Sequence, residues 1–311
     1  MVFLNMQYFD EITVQSPAKV NLHLSVGNRR PDGFHDIESL FLAVEFGDTL
    51  YFRQYEGKNA GLQGFPANNP IDGLSIPDNI INRALDLFRE KIGFSQSVGI
   101  RAEKRIPIGG GLGGGSSNAA ATLLALNKMT GSPLNKETLL EMAASLGSDV
   151  PFFIHETPAA WVTGRGEFIE PVKMPQLFLV LVNPGFSSNT GTAFKLLDEY
   201  RRGSRRGAEA QREDEVLSSP LLLFSASSAS PCLCVNEFMY RNDFLHVFPD
   251  SEKSIYTQII SQLKDLGAQF ANLSGAGSTC FGIFENAKTA ENAALTLREK
   301  WPFAVNCSSL I

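Results

Sequence analysis

The sequence predicts an α+β sandwich. Strand and helix patterns alternate along the chain, the strand patterns return on themselves through short turns, and a glycine-rich loop runs straight into an apolar helix. At 311 residues and 43% hydrophobic content the chain can bury a sizeable core in one large or two medium domains. The short apolar run Leu177 to Val182 marks the expected boundary, dividing residues 1–172 from 173–311. Net charge is −6 and the basic residues form no long stripe, which argues against a nucleic-acid partner. Neither a signal peptide nor a run of about 20 apolar residues is visible, so no membrane association is expected. Cys232, Cys234, Cys280 and Cys307 lack paired C-x-x-C spacing, which suits a reduced cytoplasmic setting; Cys232-Leu-Cys234 reads as two unrelated thiols rather than a metal site.

From Lys19 to Val26 the chain alternates, with Val20, Leu22, Leu24 and Val26 on one face and Lys19, Asn21, His23 and Ser25 on the other. Same-face neighbours lie about 7 Å apart, so Lys19 and Asn21 can reach one ligand, although the strand alone reads as having one solvated face. Residues 28–33 carry Pro-Asp-Gly turn chemistry. A second strand follows Phe34-His35, with Leu40, Leu42, Val44 and Phe46 on one face, and Gly47-Asp48 is expected to turn it back into Thr49 to Arg53 as an antiparallel sheet. Residues 56–75 read as a Gly/Pro loop. Ile80, Ile81, Ala84, Leu85, Leu87 and Phe88 predict a helix over 78–90 with Asp78 as cap.

A strand over 97–106 then leads into Pro107-Ile108-Gly109-Gly110-Gly111-Leu112-Gly113-Gly114-Gly115-Ser116-Ser117-Asn118 and an Ala/Leu-rich helix. Six glycines in seven positions let a bulky anion lie against backbone N–H groups. Ser116, Ser117 and Asn118 are cap types that would start the helix, turning its positive end toward that anion. A phosphate is the expected ligand. A flexible linker would not be followed at once by an apolar helix. Gly109, Gly111 and Gly114 also satisfy the dinucleotide pattern G-x-G-x-x-G. The preceding strand alternates instead of running apolar, however, and no acidic residue ends a second strand about 20 positions on. No Gly-Lys-Ser/Thr closes the run, which excludes a Walker loop.

Leu139, Leu140, Ala143 and Leu146 mark a helix stopped by Gly147. Pro151 is expected to hold Val150 extended, placing Asp149 at a helix-to-strand junction, where a lone Asp is usually a turn residue. Residues 152–154 and 159–162, with Gly164-Arg165-Gly166, read as a hairpin. Thr192 to Tyr200 looks helical. Residues 201–231 read as a mobile, Ser-rich excursion whose Arg201, Arg202, Arg205 and Arg206 belong to a solvated loop. A helix over 254–266 closed by Gly267, a strand to Leu273, the loop Ser274-Gly275-Ala276-Gly277-Ser278, a strand through Phe284, a helix over 290–300 and a strand near Val305 complete the chain.

Pro-Ala-Lys-Val-Asn at 17–21, the glycine loop at 107–118, Leu-Gly-Ser-Asp-Val-Pro at 146–151 and Ser-Gly-Ala-Gly-Ser at 274–278 occur in that order. Together they resemble the galactokinase, homoserine kinase, mevalonate kinase and phosphomevalonate kinase superfamily. Within it, Asp32-Gly33-Phe34-His35, the doubled triple glycine and Asn242-Asp243-Phe244 resemble the branch acting on a cytidine-diphosphate-linked methylerythritol. The resemblance spans nearly the whole chain. Residues 201–231 depart from it as an insertion, and Phe34 stands where Tyr is common.

The resemblance implies an N-terminal nucleotide-binding domain with a mixed sheet and phosphate-loop helix, and a C-terminal ferredoxin-like domain. It implies ATP-dependent phosphorylation of the acceptor's 2-hydroxyl in the non-mevalonate isoprenoid pathway. Asp149 would take the hydroxyl proton, and Lys19 would keep Asp149 ionised and offset charge on the transferring group. Pro107, Ile108, Gly109, Gly110, Gly111, Leu112, Gly113, Gly114, Gly115, Ser116 and Ser117 would cradle ATP, with Asn79 near adenine. Mg²⁺ would be bound through the phosphates, with Ser117 approaching it and no protein ligand assigned. Asn21, His35 and Thr190 would meet the acceptor, and Phe34 and Phe194 would sandwich its cytosine. His23 keeps a structural role. A monomer or homodimer in the cytoplasm, or in the plastid stroma of a plastid-bearing source, is expected. The competing readings are a sibling kinase for homoserine or mevalonate and a nucleotide-binding regulator without turnover; such a regulator would be expected to lack Lys19 or Asp149.

Overall fold

The N-terminal alternation runs further than expected: strand β1 spans Ile12–Arg29 and pairs antiparallel with β2, His35–Tyr55. The structure is a computed structural model describing residues 11–55, 79–207 and 240–311. Gly47-Asp48 does not turn the chain. It lies inside β2 opposite Pro17 and Ser16, and the register then slips to Ala18 opposite Val44. Pro17 has no N–H to give the ladder, so a bulge forms at this point. Gly47 is required there because a Cβ would fall 2.4 Å from the Ser16 carbonyl oxygen.

Strand β3 (Ser97–Glu103) pairs with the far half of β2, β4 (Ala159–Gly164) with its near half, and β5 (Phe168–Pro171) continues from β4. Every strand pairing described is antiparallel, so the first sheet is not the mixed one the resemblance implied. Helix α1 spans Ile80–Ile92 and is capped by Asn79, whose side-chain oxygen accepts from Ile81 N–H; Asp78, the expected cap, lies outside the described residues, as do 56–75. Helices α2 (Gly114–Met129) and α3 (Lys136–Leu146) follow. Residues 152–154 are helical, not strand: α4 runs Val150–Ile154. Pro151 sits in its first turn, where a missing N–H costs nothing, so Val150 is not driven extended.

The second sheet has the order β7-β8-β6-β9, all antiparallel, from β6 (Phe178–Asn183), β7 (Phe270–Leu273), β8 (Cys280–Phe284) and β9 (Phe303–Ser308). With α6 (Asp250–Asp265) and α7 (Ala287–Arg298) this is the ferredoxin-like β-α-β-β-α-β arrangement. Between β6 and α6 come α5 (Thr190–Gly207) and a 3₁₀ turn at Asp243–His246. Helix α5 continues through 207, so Arg201 and Arg202 are helical rather than in a loop. Arg201 donates to the Gly27 carbonyl at 2.7 Å and pairs with Asp243 at 3.3 Å. The remainder of the expected excursion from residue 208 on, with Cys232 and Cys234, lies outside the described residues.

Strand periodicity explains the layering. Phe41, Ala43, Leu50 and Phe52 bury one face of the first sheet against α1 to α4. The opposite face, with Val20, Leu22, Leu40 and Leu42, meets Leu179, Leu181, Phe281 and Ile283 of the second sheet. The far face of that sheet, with Val180 and Val182, packs on α5, α6 and α7. The result is helix, sheet, sheet, helix. Each fully buried Leu, Ile or Phe contributes about 1.5–3 kcal/mol. Among the described residues no helix is long and apolar enough to cross a membrane.

Candidate active site

A cleft of about 530 Å³ opens beside the seam between the two sheets, lined by residues 107–116, Lys19, Asn21, Asn79, Asp149, Thr190 and Phe194 among others. The glycines are needed partly for a reason the sequence does not state: the loop is clasped by protein. Gly111 adopts φ +75°, and a Cβ on it would lie 2.2 Å from the Ser274 carbonyl oxygen. Ser274 Oγ donates to Gly111 O at 2.9 Å and Thr279 N–H to Gly110 O at 3.0 Å, so the loop at 274–279 backs the first. Gly115 differs, since a Cβ there would meet nothing nearer than Ile80 Cγ2 at 3.8 Å.

The cap of α2 is Gly113 at φ +68°, with no side-chain hydrogen bond, and Ser116, Ser117 and Asn118 are the third to fifth residues of the helix. They are not caps, so no side chain competes for the first turn's N–H groups, which leaves an anion site at a helix start. Ser116 lines the cleft, whereas Ser117, one residue on and about 100° around the helix, is buried against Ser16 with the two hydroxyl oxygens 2.8 Å apart. Ser117 is therefore turned away from the position where a metal was expected. Leu112 buries its side chain in the seam, and its carbonyl accepts from Lys19 N–H at 2.9 Å. Ile108 is exposed.

Lys19 and Asp149, 130 residues apart, meet: Nζ is 3.2 Å from Asp149 Oδ2 and donates to Asn21 Oδ1 at 2.7 Å. Nζ also stands 4.2 Å from the centroid of the Phe41 ring, a cation–π contact. The β1 face carrying Lys19, Asn21 and His23 is not solvated; all three are buried. Asn21 Nδ2 donates to Ser39 Oγ at 2.8 Å, which fixes the amide so that its oxygen faces the ammonium. Asp149 keeps 31% side-chain exposure, leaving a carboxylate oriented by a buried cation yet open to the cleft. His23 stacks on Trp161 with ring centroids 5.5 Å apart, in keeping with a structural role.

On the other wall, Phe194 stacks on His35 with centroids 4.9 Å apart, and His35 Nε2 lies 2.9 Å from Asp198 Oδ1. Thr190 and Phe194 both line the cleft from α5. Phe34 stands 53% exposed with the Arg165 guanidinium 5.1 Å from its ring centroid, so the ring facing Phe194 is His35, not Phe34. Asn79 reaches the cleft from the α1 cap. Two participants escaped the sequence reading. Lys104 lines the cleft at the end of an alternating strand, and Asp198 lies four residues after Phe194, the spacing that puts both on one helix face. Beneath the second loop, Tyr256 is fully buried and its hydroxyl has no hydrogen-bond partner among the described residues; burial raises its phenol well above the ordinary value.

Residues 79–157 match the GHMP kinases N terminal domain and residues 234–302 match GHMP kinases C terminal. A 4-diphosphocytidyl-2-C-methyl-D-erythritol kinase of Syntrophotalea carbinolica is 35% identical over 299 residues, covering 93% of this chain and 96% of the relative. The chain belongs to the 4-diphosphocytidyl-2-C-methyl-D-erythritol kinase family. A second member of that family, from Anaeromyxobacter dehalogenans, is 34% identical over 291 residues, covering 91% of this chain and 84% of the relative. A crystal structure of 4-(cytidine 5'-diphospho)-2C-methyl-D-erythritol kinase superposes with a TM-score of 0.73 at 30% identity, covering 96% of this chain and 98% of that one. The family consists of ATP-dependent small-molecule kinases, and the two-domain α+β architecture is theirs.

Proposed function

We propose that this protein transfers the γ-phosphoryl group of ATP to the 2-hydroxyl of 4-diphosphocytidyl-2-C-methyl-D-erythritol in the non-mevalonate isoprenoid pathway. The observation that carries the reading is the Lys19–Asp149 pair, held at 3.2 Å beside a glycine loop that opens into the start of α2. Family membership supports the cytidyl-linked acceptor over homoserine or mevalonate. The retained Lys19–Asp149 pair argues against a regulator without turnover.

In this reading the acceptor oxygen attacks the γ phosphorus while its proton passes to Asp149, and the bond to the β-phosphate oxygen breaks to release ADP. The hydroxyl is tertiary and crowded, so the protein's part is mostly positioning and charge stabilisation. Lys19 holds Asp149 in place as a carboxylate partner and offsets charge on the transferring group. The N–H groups of residues 108–116 hold the phosphates, and Asn79 lies on the adenine side. Asn21, His35 and Thr190 approach the acceptor, and Phe194 stacks against its base. Among the described residues no cluster of three or more His, Cys, Asp or Glu side chains is placed to hold a metal alone. Asp149 and Ser116 both line the cleft and carry oxygen ligands of the type that would hold Mg²⁺ there when phosphates supply the rest. Bound there, Mg²⁺ would neutralise charge across the β and γ phosphates.

We divide the chain into a nucleotide-binding domain at 1–172 and a second domain at 173–311. The protein acts as a monomer or homodimer in the cytoplasm, or in the stroma where the source bears plastids, and without a nucleic-acid partner. The test is incubation with ATP, Mg²⁺ and the cytidyl-linked alcohol, in competition with homoserine and mevalonate; absence of ADP and phosphorylated cytidyl product refutes the reading. In single turnover Asp149→Asn should slow transfer about 10²–10⁴-fold. Transfer surviving within about tenfold would remove the proton-acceptor role from Asp149.

A further inference from the structure

The bulge in the first sheet places two buried polar side chains directly across from each other, Ser16 on β1 and Asp48 on β2. Neither is a cleft-lining residue. Asp48 Oδ1 accepts from Arg105 N–H at 2.7 Å and Ile106 N–H at 2.9 Å, and its other oxygen pairs with the ammonium of Lys104. Those three residues are the last before Pro107. Ser16 Oγ bonds Asn118 Oδ1 at 2.7 Å and shares a hydrogen bond with Ser117 Oγ at 2.8 Å. Those two residues are the first past the glycines and Ser116. One register pair of the sheet therefore grips both ends of the phosphate loop.

We infer that Ser16 and Asp48 are positioning residues that clamp the two ends of the phosphate loop to one rigid point of the sheet, so that its N–H groups are already aligned when nucleotide phosphates arrive. A segment with six glycines loses more backbone freedom on ordering than a segment of ordinary composition and the same length. Unless its ends are fixed in the free protein, that loss falls on ligand binding and weakens it. A buried carboxylate that accepts two backbone N–H bonds and pairs with a lysine is a stiff anchor, because losing it would strand buried donors. The serine hydroxyl completes the clamp on the helix side. The Lys104 ammonium, drawn toward Asp48, is held at the cleft wall by the same contact.

The inference rests on the phosphate-binding part of the proposed function, and the experiment separates the two. Amide hydrogen exchange is followed in the free full-length protein and in the Ser16→Ala and Asp48→Asn variants. Exchange at residues 108–116 should speed up on the order of tenfold or more while α3 is unchanged. Affinity for the β,γ-imido analogue of ATP should fall on the order of tenfold, with adenosine affinity unchanged within about twofold. A purely structural role would move both ligands alike or neither. Unaltered exchange at 108–116 in both variants, or equal loss for analogue and adenosine, overturns the inference. If the unsubstituted protein fails to bind the analogue, the phosphate-loop reading is lost instead, and the exchange result still decides whether Ser16 and Asp48 clamp the loop. Asp48→Asn retains one oxygen for the two N–H bonds, so it guards against a variant that does not fold.

Discussion

The glycine loop offers a test in which one substitution, made four residues apart, is predicted to change stability in opposite directions. At Gly111, alanine meets two costs. The left-handed φ of +75° costs a residue with Cβ about 1–2 kcal/mol. The new methyl would stand 2.2 Å from Ser274 O and 2.8 Å from Gly277 O, both backbone atoms that move only with their loop, adding about 1–3 kcal/mol of overpacking. Gly111→Ala should therefore lose about 2–5 kcal/mol. Gly115 is helical, and its methyl would meet only Ile80 Cγ2 at 3.8 Å, so Gly115→Ala should be neutral or gain up to about 1 kcal/mol. Urea unfolding followed by fluorescence of Trp161 and Trp301 measures both. Activity should not follow stability: the Gly115 methyl projects into the cleft, so kcat/KM for ATP should fall tenfold or more in the more stable variant too. Equal midpoints for the two variants would refute the claim that Gly111 is dictated by the second loop. Undiminished ATP use by Gly115→Ala would refute the claim that this residue faces the phosphates.

Three further outcomes follow. Lys19→Met should lower kcat by about 10²–10³ and cost only about 1–3 kcal/mol of stability, because Asp149 keeps access to water and the buried Asn21 Oδ1 alone loses its donor; single-turnover kinetics and a melting curve measure the two effects, and a larger stability loss with normal turnover would reverse the assignment. Tyr256→Phe should hold or raise stability, since a buried hydroxyl without a partner costs about 1–3 kcal/mol; a drop of that size in urea titration would reveal a bond made by the hydroxyl. Burial lifts the Cys307 thiol to about 12, with Glu45 adding to the shift, and lifts Cys280 too. Both groups stay neutral in the folded protein while the unfolded thiols ionise near 9, so stability should decline as pH rises above that value. Mass-spectrometric mapping should find the buried Cys280 thiol unalkylated at pH 9 until the chain unfolds.

What could be read from the sequence was local chemistry. The alternation at 19–26 put Lys19 and Asn21 on one face, and the glycine run with its apolar helix pointed to a phosphate, because both signals depend only on near neighbours. The Lys19–Asp149 contact depends on how the first sheet, α2 and α4 stack, and no spacing encodes a meeting across 130 residues; only the ordered motif set suggested it. The errors share a cause as well. Gly47-Asp48 has turn chemistry but serves a bulge, and Pro151 reads as a strand signal but begins a five-residue helix. Gly111 lines the cleft as its chemistry suggests, and a carbonyl of residue 274 demands glycine there independently. In each case the residue type was informative and the partner that required it was remote.

The two loops at 107–115 and 274–279 hold each other through Gly110, Gly111, Ser274 and Thr279, although they come from different halves of the chain. They are heritable only as a matched set. A chimera joining the first half of one family member to the second half of another would place a foreign segment behind the glycines, and its nucleotide handling would fail at the join even if both halves folded. Transplanting 274–279 along with its native counterpart should restore it.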